Sequence, residues 1–262
     1  MDSSAPIDAT RGQPGENLFT LALDLAGGTS IPTHQHAEGQ LLFASTGVLA
    51  VTTNQGCWVV PSNHALWIPP QVAHRTRTIG ASSIRTLYLG LNRAAALHSG
   101  CALIGVSSLL RELIVAALEL KGKSAPGSRN AHLIDLLMDE FKAAPVNTMY
   151  LASPAGERLK PLCQEIFQNG TLNWGLAECA TFLNVNMKTV QRWFLSDLGV
   201  SFGAWRKQAR LLLALEWLAL GKSILEVSLE AGYSSPSAFS AMFRKEFGMP
   251  PSALQMPQHP SP

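Results

Sequence analysis

The chain has 262 residues, 47% of them apolar, with 20 Lys and Arg against 18 Asp and Glu for a formal net charge of +2. That length accommodates two domains, each with its own core, and no apolar run is long enough for a transmembrane helix. The four cysteines, Cys57, Cys101, Cys163 and Cys179, are scattered with no CxxC pair, which argues against zinc fingers and disulfide scaffolds and suits a reducing cytoplasm.

Residues 1–17 have no apolar stretch; they read as a flexible lead-in and not as a signal peptide. From 18 to 98 short apolar runs recur, LFTLALDLA, QLLFAS, GVLAVTT, GCWVVP, HALWIPP and SIRTLYLG, separated by Gly, Pro, Asn and Thr. Phe19, Leu21, Leu23 and Leu25 alternate. Many short strands with glycine turns predict a small β-sandwich or barrel. Trp58 and Trp67 read as core or pocket wall.

Within this region Gly28, His34, His36, Gln40 and Gly47 form one spaced pattern, and Pro69 with His74 a second. His34 and His36, two apart on a strand, should point to one face, and His74 on a later strand can converge on them. The two patterns resemble the motifs of the cupin barrel over roughly residues 18–90. That resemblance implies a site lined by His34, His36, Gln40 and His74. Three imidazoles and one oxygen ligand are a set that holds Zn, Ni, Fe or Mn. The chain departs from the pattern at Gln40, where the family has a metal-binding glutamate, at Gln71 for glycine and at Thr78 for asparagine. Three readings stay open: an organic effector site, a metal site of the same residues with or without an effector, and histidines kept for the fold.

Residues 99–143 change character. SSLLRELIVAALELK places Leu110, Leu113, Ile114, Ala117 and Leu118 at helical spacing, and a second amphipathic helix runs from about Ala131 with Leu133, Leu136, Leu137 and Phe141 inward. This pair is either a dimer contact or a cover for the barrel. Residues 144–156 read as a linker.

From 157 to 256 one unit is written twice. AECATFLNVNMKTVQRWFLSDLG ends at Gly199 and LEVSLEAGYSSPSAFSAMFRKEFG at Gly248. Glu178 and Glu226 are 48 apart, Phe194 and Phe243 49, so the one inserted residue lies between the two halves of the unit. Each copy reads as a short helix, a tight turn and a second helix closed by glycine, that is, a helix-turn-helix. Asn184 and Gly232 are the turn residues. Asn186 caps the second helix of the first copy, and Ser234 or Ser235 that of the second, with Pro236 near the first helical position. Val190 with Phe194, and Phe239 with Phe243, face inward. Thr171 and Asn173 are candidate caps for the first unit's leading helix, and residues 201–220 form one long connecting helix ended by Gly221. Residues 257–262 read as a flexible tail. From residue 155 onward ten Lys and Arg stand against eight Asp and Glu, so the case for DNA rests on placement more than on net charge.

The run GYSSPSAFSAMFRKEFGMPP, Gly232 to Pro251, is close to the signature of the AraC/XylS transcription regulators, and residues 158–256 resemble their DNA-binding domain. Ser228 replaces the family's usual alanine, and Trp193 sits at a variable position. The resemblance implies an α+β protein with an N-terminal cupin-like sensing barrel, a helical pair and a C-terminal all-α domain of two helix-turn-helix units. It implies base or backbone contacts from Lys188, Thr189, Gln191 and Arg192 in the first unit and from Ser237, Ser240 and Arg244 in the second. The implied partners are double-stranded promoter DNA, a small-molecule or metal effector, a second copy of the chain, and RNA polymerase if the protein activates. No membrane partner and no catalytic residue is expected. The alternative is a dioxygenase-like cupin metalloenzyme fused to a DNA-targeting domain, which Gln40 in place of the metal glutamate disfavours.

Overall fold

The computed structural model describes residues 18–120, 125–169 and 171–254. The lead-in at 1–17 and the tail at 257–262 lie outside these residues.

The N-terminal domain is an antiparallel sheet of nine strands among the described residues: β1 (Leu18–Leu25), β2 (Ser30–His34), β3 (Gly39–Thr53), β4 (Gly56–Pro61), β5 (His64–Ile68), β6 (His74–Leu89), β7 (Ala102–Gly105), β8 (Val146–Asn147) and β9 (Leu151–Ala152). Its backbone is β3 paired with β6, from Gly39 opposite Leu89 to Thr53 opposite His74. At 15 and 16 residues these two strands are long enough to bend, and the register slips twice, around Thr46. Bulges of this kind kink a strand and increase its twist. Gly47 sits in that bend at φ +80°, and a Cβ there would meet Ser82 Oγ at 2.3 Å and Ala81 O at 2.5 Å.

Bending gives the sheet an inside and two outer faces, and side-chain alternation sorts residues among them. Leu42, Ala44, Leu49, Val51, Trp58, Val60, Leu66, Ile68 and Ile84 form a core made of strand residues. On the opposite parity Leu41, Phe43, Trp67 and Leu87 pack under α2 (Ser108–Leu118) and α3 (Arg129–Ala143), which follow a short α1 (Leu91–Ala94). Of the predicted stripes, α2 buries Leu110, Leu113, Ile114 and Ala117 with Leu118 half-buried, and α3 buries Leu137 and Phe141 with Leu133 half-buried. Leu136, expected inward, is instead exposed, because Ile134, Leu137, Met138 and Phe141 form the inward stripe.

The segment expected as a linker is strapped to the sheet. Val146–Asn147 pairs with β7, and Leu151–Ala152 with β4. Trp205 Nε1 of the C-terminal domain also donates to Ala152 O at 2.9 Å.

That domain comprises α4 (Lys160–Gln168), α5 (Leu176–Phe182), α6 (Met187–Leu198), α7 (Phe202–Ala219), α8 (Ile224–Glu230) and α9 (Pro236–Phe247). The two helix-turn-helix units are α5–α6 and α8–α9, joined by α7. Asn184 turns the first at φ +54° and Gly232 the second at φ +79°. Asn186 Oδ1 accepts from Thr189 N, and Ser235 Oγ from Ala238 N, so both second helices are capped. The cap of α5 differs from expectation. Gly175 occupies it, and its N–H donates to the Glu178 carboxylate at 2.9 Å, so neither Thr171 nor Asn173 is the cap.

Candidate effector site and DNA-reading surfaces

His34 ends β2, and His36 lies just beyond it in the approach to β3. The expectation that both sit on one strand therefore fails by two residues, yet the rings still converge with that of His74, whose residue pairs with His34 across β2 and β6. Ring centroids are 4.4 Å apart for His34 and His74, 5.2 Å for His36 and His74, and 6.1 Å for His34 and His36. One ring nitrogen of each lies within 4.8 Å of the others, a spacing a single ion can bridge.

Backbone carbonyls orient all three rings. His34 Nδ1 faces Pro32 O at 2.9 Å, His36 Nδ1 faces Glu38 O at 2.6 Å, and His74 Nδ1 faces Val72 O at 2.9 Å. A carbonyl only accepts, so each Nδ1 carries a proton, and in a neutral ring Nε2 then presents a lone pair. Burial holds His36 below the usual imidazole range and lowers His74 to about 4, which keeps both rings neutral. A neutral ring with a free Nε2 is the form that binds metals. His74 Nε2 is buried and has no hydrogen-bond partner, so the donor set fits a divalent ion.

Gln40 reaches the same point from β3. Two further residues, Thr86 and Tyr88, hold its amide: Gln40 Nε2 donates to Thr86 Oγ1 at 2.9 Å and to Tyr88 Oη at 3.2 Å. The sequence offered no motif for either. Their place follows from the register, which sets Gln40 opposite Tyr88. Gln71 takes the left-handed conformation at φ +62° where the family has glycine, and its N–H donates to His36 O. Trp58 and Trp67 are both buried in cores.

In the DNA-reading units Lys188, Gln191 and Arg192 are exposed on α6, with Thr189 half-buried. On α9 Ser237 and Arg244 are exposed and Ser240 is half-buried. Val190, Phe194, Phe239 and Phe243 are buried as expected. Three further basic side chains, all on α7, are used by the fold. Arg206 donates to Trp174 O, Arg210 to Leu172 O at 2.8 Å, and Lys207 pairs with Glu246 at 2.8 Å.

The two domains share a core. Val48, Ala50, Val59 and Ile79 on an outer face of the sheet pack into the cluster that holds α7 and both helix-turn-helix units. Around it Arg77 Nη2 on β6 donates to both carboxylate oxygens of Glu216 on α7, at 3.0 and 3.1 Å. Asn63 Nδ2 donates to Phe247 O at 3.0 Å and Asn147 Nδ2 to Glu246 O at 2.9 Å, so sensor residues cap the C-terminus of α9. Buried His64 faces Asn63 Oδ1 through Nδ1 at 2.8 Å, and burial lowers its pKa to about 4.

A rolled sheet enclosing a small polar site, followed by paired helix-turn-helix units, defines a ligand-binding transcription regulator. Residues 25–137 match the AraC-like ligand binding domain and residues 179–256 a helix-turn-helix domain. The chain belongs to the AraC family of transcription regulators. It is 29% identical over 221 residues to the HTH-type transcriptional regulator NimR of Escherichia coli (strain K12), spanning 84% of this chain and 80% of that one. To the HTH-type transcriptional regulator ExsA of Pseudomonas aeruginosa it is 26% identical over 223 residues, covering 82% and 77%. A structure of ToxT from Vibrio cholerae aligns over 91% of this chain and 97% of that chain with 10% identity and a TM-score of 0.36.

Proposed function

We propose that the regulator senses its effector at His34, His36, Gln40 and His74 and reads promoter DNA through α6 and α9 in successive major grooves. The observation that carries the sensing half is the cluster of His34, His36 and His74, with a ring nitrogen of each within 4.8 Å of the others and His74 Nε2 buried without a partner. For the DNA half, α7 has 18 residues. At about 1.5 Å per residue it spans roughly 27 Å, close to the ~34 Å between successive grooves on one face of the duplex.

Base reading falls to Lys188, Gln191 and Arg192, with Thr189, Ser237, Ser240 and Arg244 in supporting contacts. The α2–α3 pair packs on the sheet, and it also leaves Leu109, Val115 and Leu136 exposed, which supports a second copy of the chain as a partner. Among the described residues no helix is long and apolar enough to cross a membrane. We place the protein in the cytoplasm with the DNA it reads, acting without catalysis; the relatives reported above are named as regulators.

Footprinting across the genome with and without candidate ligands tests this reading. His36→Ala should leave operator protection largely intact and abolish the ligand response. A folded variant that still responds normally would refute the sensing assignment.

A further inference from the structure

The end of α9 meets the sensor at a cavity of about 530 Å³. Its walls are the turn into β5, the residues after β7, the strap residues 145–148 and the last residues of α9. That volume suits a small molecule, for which roughly 300–1,000 Å³ is usual. The cavity shares no residue with the histidine cluster. Val106, Pro145 and Val146 give it an apolar wall.

Two polar side chains in the lining keep an unused acceptor. The first is His64. Phe247 O can only accept, so the Asn63 amide presents Nδ2 to it, at 3.0 Å, and Oδ1 to the ring of His64, at 2.8 Å. His64 Nδ1 therefore carries a proton. The ring is neutral, because burial lowers its pKa to about 4. Its Nε2 then holds a lone pair, with no hydrogen-bond partner among the described residues. The residue is only 6% exposed, so water has little access to that nitrogen from outside the cavity. The second is Glu246. Lys207 Nζ takes Oε1 at 2.8 Å, and Oε2 has no hydrogen-bond partner among the described residues. Glu246 is also the one charged side chain among the described residues of the lining. The end of α9 adds to it, since a helix C-terminus carries about half a negative charge. The start of α2 borders the cavity too, but its cap, Ser107 Oγ, is already taken by Leu110 N at 3.0 Å. No Lys or Arg among the described residues lines the walls to hold an anion.

We infer that this cavity is a second effector site, for a small organic ammonium ion with an apolar body. Its N–H groups donate to His64 Nε2 and Glu246 Oε2, and its body lies on Val106, Pro145 and Val146. An ammonium has three donors and can serve both acceptors at once. The ion is then held by both domains, through His64 of the sensor and Glu246 of α9. From His64 the contacts run through Asn63 to Phe247 O, the same helix end. A ligand that needs both walls favours the docked arrangement of sensor and reader over any in which they part. The inference is independent of the sensing role given to His34, His36, Gln40 and His74.

Full-length protein is titrated calorimetrically with phenethylammonium and tryptammonium, and with indole-3-propionate as an anion of matching shape. Both cations should bind once per chain, and the anion about tenfold more weakly or worse, since it meets the Glu246 carboxylate. Glu246→Gln keeps the shape of the side chain and should weaken the cations about tenfold. Val146→Trp enlarges a side chain that is 46% exposed, so the fold tolerates it, and should abolish binding by filling the cavity. In ring-nitrogen NMR the His64 Nε2 signal should move as the cation is added, and the last amides of α9 should exchange more slowly. Binding of neither cation, or equal affinity in Val146→Trp, overturns the site. Equal affinity in Glu246→Gln, or an anion that binds as well as the cations, overturns the ligand class. Movement of the His34, His36 or His74 signals in place of His64 would put the cation at the histidine cluster and overturn the second site while leaving the first standing.

Discussion

In the first helix-turn-helix unit, α6 is tied down from within its own domain: Arg158 pairs with Asp197, donates to Ser196 Oγ at 2.9 Å and lies over the Trp193 ring. In the second, the last carbonyls of α9 are taken by Asn63 and Asn147, which belong to the sensor. The internal architecture of the two is the same, down to the left-handed glycine at the end, Gly199 and Gly248, each at φ +69°. Their outward faces also differ. The first presents Lys188, Gln191 and Arg192, the second mainly serines and Arg244. Two copies of one unit have thus diverged at their edges while keeping one interior. The first keeps exposed Lys188, Gln191 and Arg192 on its outer face, and the second is held at its end by sensor side chains.

The largest expected effects probe the shared interior. Phe194 and Phe243 are both fully buried, so Phe194→Ala and Phe243→Ala should each cost about 3–5 kcal/mol in urea unfolding. A cost below about 1 kcal/mol for either would mean that the two interiors are not equivalent.

Next come the outward faces. Arg192→Ala should cost about 1–3 kcal/mol of operator binding and relax preference at one or two base pairs. Arg and Gln side chains discriminate base edges, whereas serine donates to or accepts from almost any of them. Arg244→Ala should weaken all sites about equally and lower the salt slope by roughly one unit. Selection from a random DNA library separates the two. Equally sharp half-sites about one turn apart would show that the second unit reads bases as well as the first.

The smallest effect tests the grip. Asn63→Ala and Asn147→Ala each remove one hydrogen bond to the end of α9, worth about 1 kcal/mol. Hydrogen exchange of α9 amides should quicken while α6 stays unchanged. Equal quickening in both helices would dissolve the distinction.

What could be read in the sequence was local. Caps, turn residues and buried pairs of each helix-turn-helix lie within some two dozen residues of one another, so Asn184, Asn186, Val190 and Gly232 declared themselves and the second cap was narrowed to Ser234 or Ser235. The histidines were legible through their spacing even though His36 sits off the strand. What stayed hidden depends on register and docking. Nothing near Gln40 indicates that Tyr88 lies opposite it on β6, with Thr86 two residues away on the same strand. Nor does the sequence say that Arg206, Lys207 and Arg210 are used inside the protein, or that residues 144–156 are stitched to the sheet. Polar side chains carry little local information about their partners, because those partners come from distant strands and helices.

α7 buries residues on several sides, including Leu211, Leu212, Leu213, Ala214 and Leu215 in succession, and a helix apolar all round belongs in the middle of something. Here the middle lies between sensor and reader, with Val48, Ala50, Val59 and Ile79 on one side and Glu216 answering Arg77. The two domains are therefore not interchangeable parts. A chimera that grafts this reader onto a foreign sensor inherits an uncovered strip of leucines and a stranded carboxylate. It would need the four apolar residues and the arginine carried over with it before the transplanted sensor could govern anything.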